Sequence, residues 1–390
     1  MNKKVVHAVT ASKSLKLMKG QLQFLNDNGF DTYFISSPGG EIEEFTFSEK
    51  SNPLSIEIER EISIVSDIKS LAKLITIIYK VKPNIVNYGT PKAGLLVSIA
   101  SFVCRVPVRI YTLRGLRLET TFGFKRKVLL TAEKIAVACS TKVIAISSSL
   151  SERAIELKIV KPDKIVVLGK GSSNGFPLEI YKDSADLKVE IRKIQNELCI
   201  QDSDFVVGFV GRMTKDKGLK ELIQTFTRFN TTYPDSKLLI VGDFEEGDPV
   251  DSETKNIIED HLDIIHVSFK KNLLPYYKLM DVFLFLTKRE GFGNVSLEAS
   301  LSGVPVIVSD VTGARDTVIN NKTGFLVNES NIEEAERKLQ WLVNNPLRKK
   351  EMGIEAREWA ETHFDNNIIW NQLLQLYNNE LNTRDNKKFD

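Results

Sequence analysis

Histidine is scarce in this chain: four in 390 residues, at His7, His261, His266 and His363. Chemistry that needs a histidine base has few places to sit, and His7 falls inside the apolar run Lys4–Val9, where it reads as structural. Cysteine is scarcer still. Cys104, Cys139 and Cys199 are odd in number and far apart, which argues against a disulfide framework or a cysteine metal site and suits a reducing compartment. No apolar run is long enough to span a bilayer: the uncharged stretch Ala93–Cys104 stops between Lys92 and Arg105, well short of about 20 residues. The opening M-N-K-K-V-V-H-A-V-T lacks a signal-peptide apolar region and runs straight into a strand pattern. Internal repeats and low-complexity segments are absent too.

What is present is a globular composition with a charge asymmetry. Hydrophobic residues make up 42%, ample for buried cores. Residues 1–175 carry 26 basic against 15 acidic side chains, the remainder 27 against 36, giving +2 overall. A basic half and an acidic half suggest two domains, the first facing something anionic.

Short apolar strands alternate with helical stretches throughout, the signature of parallel βαβ units. In the first half, strands are expected at Lys4–Val9, Thr32–Ser36, Ile85–Tyr88, Val108–Leu113, Lys142–Ile146 and Lys164–Leu168. Helices are expected near Asp67–Lys80, Ala93–Phe102, Lys125–Ala138 and Ser149–Leu157. The turn-rich G-K-G-S-S-N-G-F-P beginning at Gly169 breaks the rhythm. A helix at Ala185–Leu198 opens a second series, with strands at Phe205–Val210, Lys237–Val241, Ile264–Val267, Val282–Leu286, Val306–Ser309 and Gly324–Val327. From Ile332 on the pattern is helical, with Trp341, Trp359 and Trp370 as packing anchors. The fold class is α/β: residues 1–170 and 185–365 form two doubly wound Rossmann-like domains, 171–184 link them, and 366–390 form a helix crossing back to the first. In such sheets ligands bind beyond the C-terminal strand ends.

Two stretches fall at that edge. Glu290 to Glu298, E-G-F-G-N-V-S-L-E, follows a buried strand; Gly291 and Gly293 allow tight turns, and Asn294 is placed to cap a helix with Glu298 in its first turn. Strand, glycine turn and helix N-terminus make an anion site. Gly211-Arg212 and Lys217-Gly218 end another strand and open another helix. Fixed cations there can stabilise negative charge on a bound group. Either stretch alone could be a plain turn.

The frame E-G-F-G-x-x-x-x-E-A resembles the E-x7-E motif of retaining glycosyltransferases of family 4, which have the GT-B fold. G-R-x-x-x-x-K-G, Gly242-Asp243, Tyr277–Val282, Ser302–Ile307 and Gly324–Val327 are similar to the same family. The resemblance implies two domains facing a cleft and a nucleotide-sugar donor, a UDP-sugar. It implies that Arg212 and Lys217 contact the diphosphate and Glu290 the donor sugar. Backbone from Gly291 through Phe292, Gly293, Asn294 and Val295 lies nearby, Glu298 binds the ribose, and Gly211, Gly242 and Asp243 complete the donor site. Catalysis is then assigned to Glu290, Arg212 and Lys217. No cofactor and no metal are expected: Asp202-Ser203-Asp204 has a D-x-D form but precedes its strand, so it reads as a turn at the opposite end, and Arg212 and Lys217 take the cation's role.

The first half departs from the family. A Gly-Gly loop is replaced by Ser12-Lys13-Ser14-Leu15, and Arg114 stands where a histidine is common. Lys13, Arg114, Arg117, Lys125, Arg126 and Lys127, with Phe122 and Phe124, suit an anionic membrane surface or the acceptor; a solvated helix face is the plain alternative. Leu168–Gly175 looks like the interdomain loop of family members that extend undecaprenyl-diphosphate-linked sugars. The expectation is a peripheral enzyme on the cytoplasmic face of the cell membrane, with a lipid-linked saccharide acceptor, an N-acetylated hexosamine or deoxyhexosamine as donor sugar, and no nucleic-acid partner. A soluble acceptor, an epimerase or a non-catalytic sugar-binding protein of the same fold remain alternatives.

Overall fold

The computed structural model describes residues 3–59 and 63–386; Met1, Asn2 and 387–390 of the expected domains lie outside them. Contacts divide the chain into two units. One holds the described residues up to Phe176 together with those from Asn366 on; the other is Pro177–Asp365.

The first unit is built on a seven-stranded parallel sheet. Its strands are β1 (Lys3–Ala8), β2 (Phe30–Ser36), β3 (Asn52–Ser55), β4 (Ile85–Gly89), β5 (Val108–Leu113), β6 (Lys142–Ala145) and β7 (Ile165–Val167), in the order β3-β2-β1-β4-β5-β6-β7. Every residue of β4 is buried, as a central strand with helices on both faces requires. β3 escaped the sequence reading because Asn52-Pro53 opens it and three of its four residues are exposed. Proline is confined to such edge positions. The helix Glu41–Glu49 was also missed. Its Glu49 carboxylate, 1% exposed, accepts from the N–H groups of Gly20 (2.6 Å), Leu22 (3.1 Å) and Gln23 (3.2 Å). It therefore caps the helix Gln21–Asp27 from a distance and satisfies its otherwise orphaned donors.

The helix Asn366–Asn386 belongs to this first core. Ile369, Leu373, Tyr377 and Leu381 are buried against Val5, Leu22, Phe34 and Ile110. Trp370 lies over Gly20 and donates from Nε1 to Asn174 Oδ1 (2.8 Å), while Gly169 N donates to Gln372 Oε1 (2.6 Å). The glycine-rich loop is thus fastened to this helix.

The second unit carries a six-stranded parallel sheet: β8 (Phe205–Val210), β9 (Ser236–Val241), β10 (Ile264–Val267), β11 (Val282–Phe285), β12 (Val306–Ser309) and β13 (Gly324–Val327), ordered β10-β9-β8-β11-β12-β13. Phe209, Phe226, Phe283, Phe285 and Leu339 fill its core. Burial of that size makes truncation to alanine cost about 3–5 kcal/mol for each phenylalanine. In both sheets the chain order reverses direction beside the first strand of the unit, between β1 and β4 and between β8 and β11. Doubly wound sheets bind ligands at that reversal.

Candidate active site

In the second unit the reversal point gathers the chemistry. β8 ends into Gly211-Arg212 and β11 into Leu286–Glu290. A short 3-10 turn, Lys215–Lys217, then leads through Gly218 into the helix Leu219–Thr232. Gly218 has φ 70°, and a Cβ there would stand 1.9 Å from the Leu286 carbonyl oxygen. Only glycine lets this turn press against the end of β11. Gly242 is held the same way, its φ 154° backbone so near the Gly211 carbonyl oxygen that a Cβ would lie at 1.8 Å.

That approach sets the key contact. Lys217 Nζ donates to Glu290 Oε1, and both side chains are largely buried, 14% and 18% exposed. Lys217 also lies 5.7 Å from the centre of the Phe285 ring. Arg212 pairs with Glu245 and is well exposed. Arg289 Nη2 pairs with Asp216 Oδ2 at 2.8 Å. Burial disfavours charge on Asp216, but the Thr214 hydroxyl and the nearby Lys217, Arg289 and Arg212 outweigh it and hold the carboxyl below the usual range. Each of these three cations thus has an acidic partner.

The glycine turn differs in detail from the sequence expectation. Gly293, at φ 84°, occupies the N-cap of the helix Asn294–Leu301, and no side chain caps it. Asn294 is the first helical residue, exposed rather than capping. Glu298 is consequently one residue further along than expected, at the start of the second turn. There it accepts from the Tyr277 hydroxyl at 2.9 Å, and Tyr277 is buried and kept protonated, first by burial and then by the Glu298 charge. Phe292 points inward and packs on Phe364 at 5.5 Å, whereas Val295 is half-buried. Asp243 is exposed; its Oδ1 accepts from Phe269 N at 3.1 Å.

Several participants escaped the sequence reading. Asp216 lies within the x positions of the G-R-x-x-x-x-K-G frame, and Arg289 directly precedes Glu290. The loop after β12 contributes Gly313, whose backbone sits against Glu290 and Gly291, and Thr317, whose hydroxyl meets Ser296 Oγ at 2.9 Å. Its place at the same sheet edge was the available signal. Asp202 is engaged by Arg192 and Gln195, each at 2.8 Å, at the opposite end of β8. Among the described residues no group of three or more His, Cys, Asp or Glu is arranged to hold a metal.

The first-unit residues do not form one cluster. Phe122 and Phe124 are 83% and 80% exposed at the start of the helix Gly123–Cys139. Arg117, Lys125 and Lys127 are exposed with them, Arg126 partly so. Lys13 is exposed on the 3-10 turn Ser12–Met18. Arg114 stands apart from the exposed cations: it is half-buried at the end of β5, with Nε and Nη1 closed off from solvent. Strand alternation is the reason, because Thr112 faces the Asn87–Tyr377 network and Arg114, two residues on, shares its face. His7 is structural, 3% exposed, its Nε2 at 2.9 Å from the Tyr377 hydroxyl. Among the described residues no helix is long and apolar enough to cross a membrane.

Comparison with known proteins fits this geometry. Residues 190–359 match the family model for glycosyl transferases group 1, and residues 5–147 match one described as glycosyl transferase 4-like. The chain is 41% identical over 389 residues to the capsular polysaccharide biosynthesis glycosyltransferase CapM of Staphylococcus aureus, covering 99% of this chain and all of that protein. It is 28% identical to the UDP-Gal:alpha-D-GlcNAc-diphosphoundecaprenol alpha-1,3-galactosyltransferase of Escherichia coli, over 80% of each. Among solved structures, Anabaena Alr3699/HepE in complex with UDP superposes with a TM-score of 0.78 at 19% identity, covering 97% of this chain and 100% of that one. Two doubly wound units, a paired Lys217 and Glu290 at the second reversal point, and similarity along nearly the whole length lead to one assignment: this chain is a glycosyltransferase of group 1, with the GT-B fold and a 4-like first domain.

Proposed function

We propose that the enzyme is a retaining transferase that moves an N-acetylated hexosamine or deoxyhexosamine from a UDP-sugar to an undecaprenyl-diphosphate-linked saccharide during capsular polysaccharide assembly. The observation that carries this reading is the Lys217–Glu290 pair at the reversal point of the second sheet. Lys217 and Arg212 take the donor diphosphate, Glu290 the sugar, and Glu298 the ribose. The bond from the anomeric carbon to the diphosphate oxygen breaks while the acceptor hydroxyl attacks from the same face. Its proton passes to the departing phosphate oxygen, so no protein base is required and the enzyme's task is positioning and charge stabilisation. No metal takes part, because lysine and arginine supply the positive charge.

The acceptor class rests on the similarity to the Staphylococcus and Escherichia enzymes and on the exposed Phe122, Phe124, Lys125 and Lys127. Aromatic side chains among cations favour an anionic lipid surface, which suits a peripheral position on the cytoplasmic face. Incubation with a panel of UDP-sugars and a short-chain diphosphate-linked saccharide tests the proposal, with product mass read by mass spectrometry and anomeric configuration by NMR. A product one sugar heavier with the anomeric configuration of the donor is expected. Product with the inverted configuration, or none from any UDP-sugar, would overturn it.

A further inference from the structure

A guanidinium carries five N–H donors and does not lose its proton, so enclosing one without acceptors is costly. Arg114 is such a group. Its Nε and Nη1 are shut off from solvent and meet no acceptor among the described residues. The side chain is seated on the end of β4: a Cβ at Gly89 would lie 2.6 Å from Nε and 3.3 Å from Cδ. Among the described residues no carboxylate pairs with it. Tyr111 and Tyr377 are its nearest ionisable neighbours of acidic type, and burial keeps both phenols protonated. His7 is held neutral, its imidazole pushed down to about 3 by burial and by Arg114 itself.

The position adds direction. Arg114 follows β5 at the C-terminal edge of the first sheet, next to the reversal between β1 and β4. At that edge Thr10 and Thr90 join hydroxyls at 2.8 Å. Thr90 has φ 71°, a rare conformation for a β-branched residue. It begins the thirteen-residue helix Pro91–Val103, whose positive dipole end opens on the same edge.

We propose that Arg114 is the receptor for an oxyanion, a carboxylate or a phosphate, carried by a substrate that enters at the C-terminal edge of the first sheet. A guanidinium half-buried beside a helix N-terminus with no acidic partner is a fixed positive charge that attracts such a group. The source rests on the transferase reading: an acidic sugar supplies a carboxylate, and a diphosphate-linked acceptor supplies a phosphate. The receptor itself does not depend on that reading.

Calorimetric titration with inorganic pyrophosphate and with glucuronate tests this, on full-length protein carrying Arg212→Ala and Lys217→Ala to silence the second unit. Adding Arg114→Gln should lower affinity for one of the two anions at least tenfold. Gly89→Ala, which displaces the guanidinium, should do the same. A response to pyrophosphate identifies the acceptor diphosphate, and a response to glucuronate an acidic sugar. Binding of both anions undiminished in Arg114→Gln, or of neither in the parent, overturns the proposal. Should Arg114→Gln fail to fold, undiminished binding by Gly89→Ala overturns it equally. UDP titration of the protein with its own Arg212 and Lys217 is read separately: absence of UDP binding would count against the transferase reading and leave the anion result standing.

Discussion

Tyr377 and His7 meet through a 2.9 Å hydrogen bond from opposite ends of the chain. Thr112 Oγ1 donates to Asn87 Oδ1 at 2.7 Å, Asn87 Nδ2 donates to the Tyr377 hydroxyl at 2.7 Å, and that hydroxyl is left to donate to His7 Nε2. The direction of the chain requires a neutral His7 protonated on Nδ1. Tyr377→Phe leaves Asn87 and His7 each with an unmet buried group and should cost about 1–3 kcal/mol. Urea unfolding measures it; an unchanged midpoint would contradict the network.

The same pair sets an acid limit. Burial, with Arg114 nearby, pushes the His7 imidazole down to about 3 from an ordinary value of about 6.5, so the unfolded chain binds the extra proton between them. Stability from this group is complete above pH 6.5 and is lost as pH falls toward 3. His7→Gln should flatten that part of the profile, as read by unfolding at pH 4, 5 and 7.

Glu133 acts in the opposite sense. It accepts from the Tyr111 hydroxyl at 2.8 Å, and burial raises its carboxyl to about 7. The folded state therefore holds a proton that the unfolded state has released above about pH 4.5, and stability falls as pH rises from there to 7. Glu133→Gln should stabilise the protein at pH 8 relative to pH 5 by on the order of 2 kcal/mol. Equal effects at the two pH values would refute the assignment.

Lys217→Ala should fold normally and lose about a hundredfold or more in turnover. Arg212→Ala should behave similarly, and the two together should lose less than the product of the separate effects, because both act on one diphosphate. Steady-state rates with a competent UDP-sugar decide this. Wild-type turnover in a folded Lys217→Ala protein would remove the lysine from the mechanism. EDTA should leave the wild-type rate intact, and restoration of a chelated enzyme by Mg²⁺ or Mn²⁺ would put a metal back.

Replacing Lys125, Arg126 and Lys127 by Glu should release the protein from anionic vesicles. Binding by the unaltered protein should weaken with salt, since charges are screened over about 10 Å at 0.1 M. Co-sedimentation that survives the triple change would reduce this segment to a solvated helix face. Turnover lost on a short-chain acceptor as well would assign the cluster to the acceptor site.

Contiguous features were readable in the sequence. Glu290, Gly291 and Gly293 follow an unmistakable buried strand, and Gly211 to Gly218 frame another, so both sheet-edge turns are visible as local patterns. Contacts made across the fold were not. Nothing near Arg114 in sequence reveals that Gly89 leaves room for its guanidinium, or that the Tyr377 network occupies the same face. Spacing alone grouped it with Arg117 and Lys125 instead. The helix start moved by one residue because Gly293 reaches a left-handed conformation that makes it the cap without any side chain. β3 was hidden by a proline whose missing donor matters little at a sheet edge.

The helix Asn366–Asn386 has a consequence for how the chain is made. Ile369, Leu373, Tyr377 and Leu381 cover apolar surface on strands that leave the ribosome long before them. At about 5–20 residues per second, the stretch between Phe176 and Asn366 takes on the order of 10–40 s to synthesise. For that interval Val5, Phe34 and Ile110 lack their partner, and the second unit, continuous in sequence, is free to fold ahead of the first. The apolar face of the first sheet therefore stays incompletely covered until its last helix has been made.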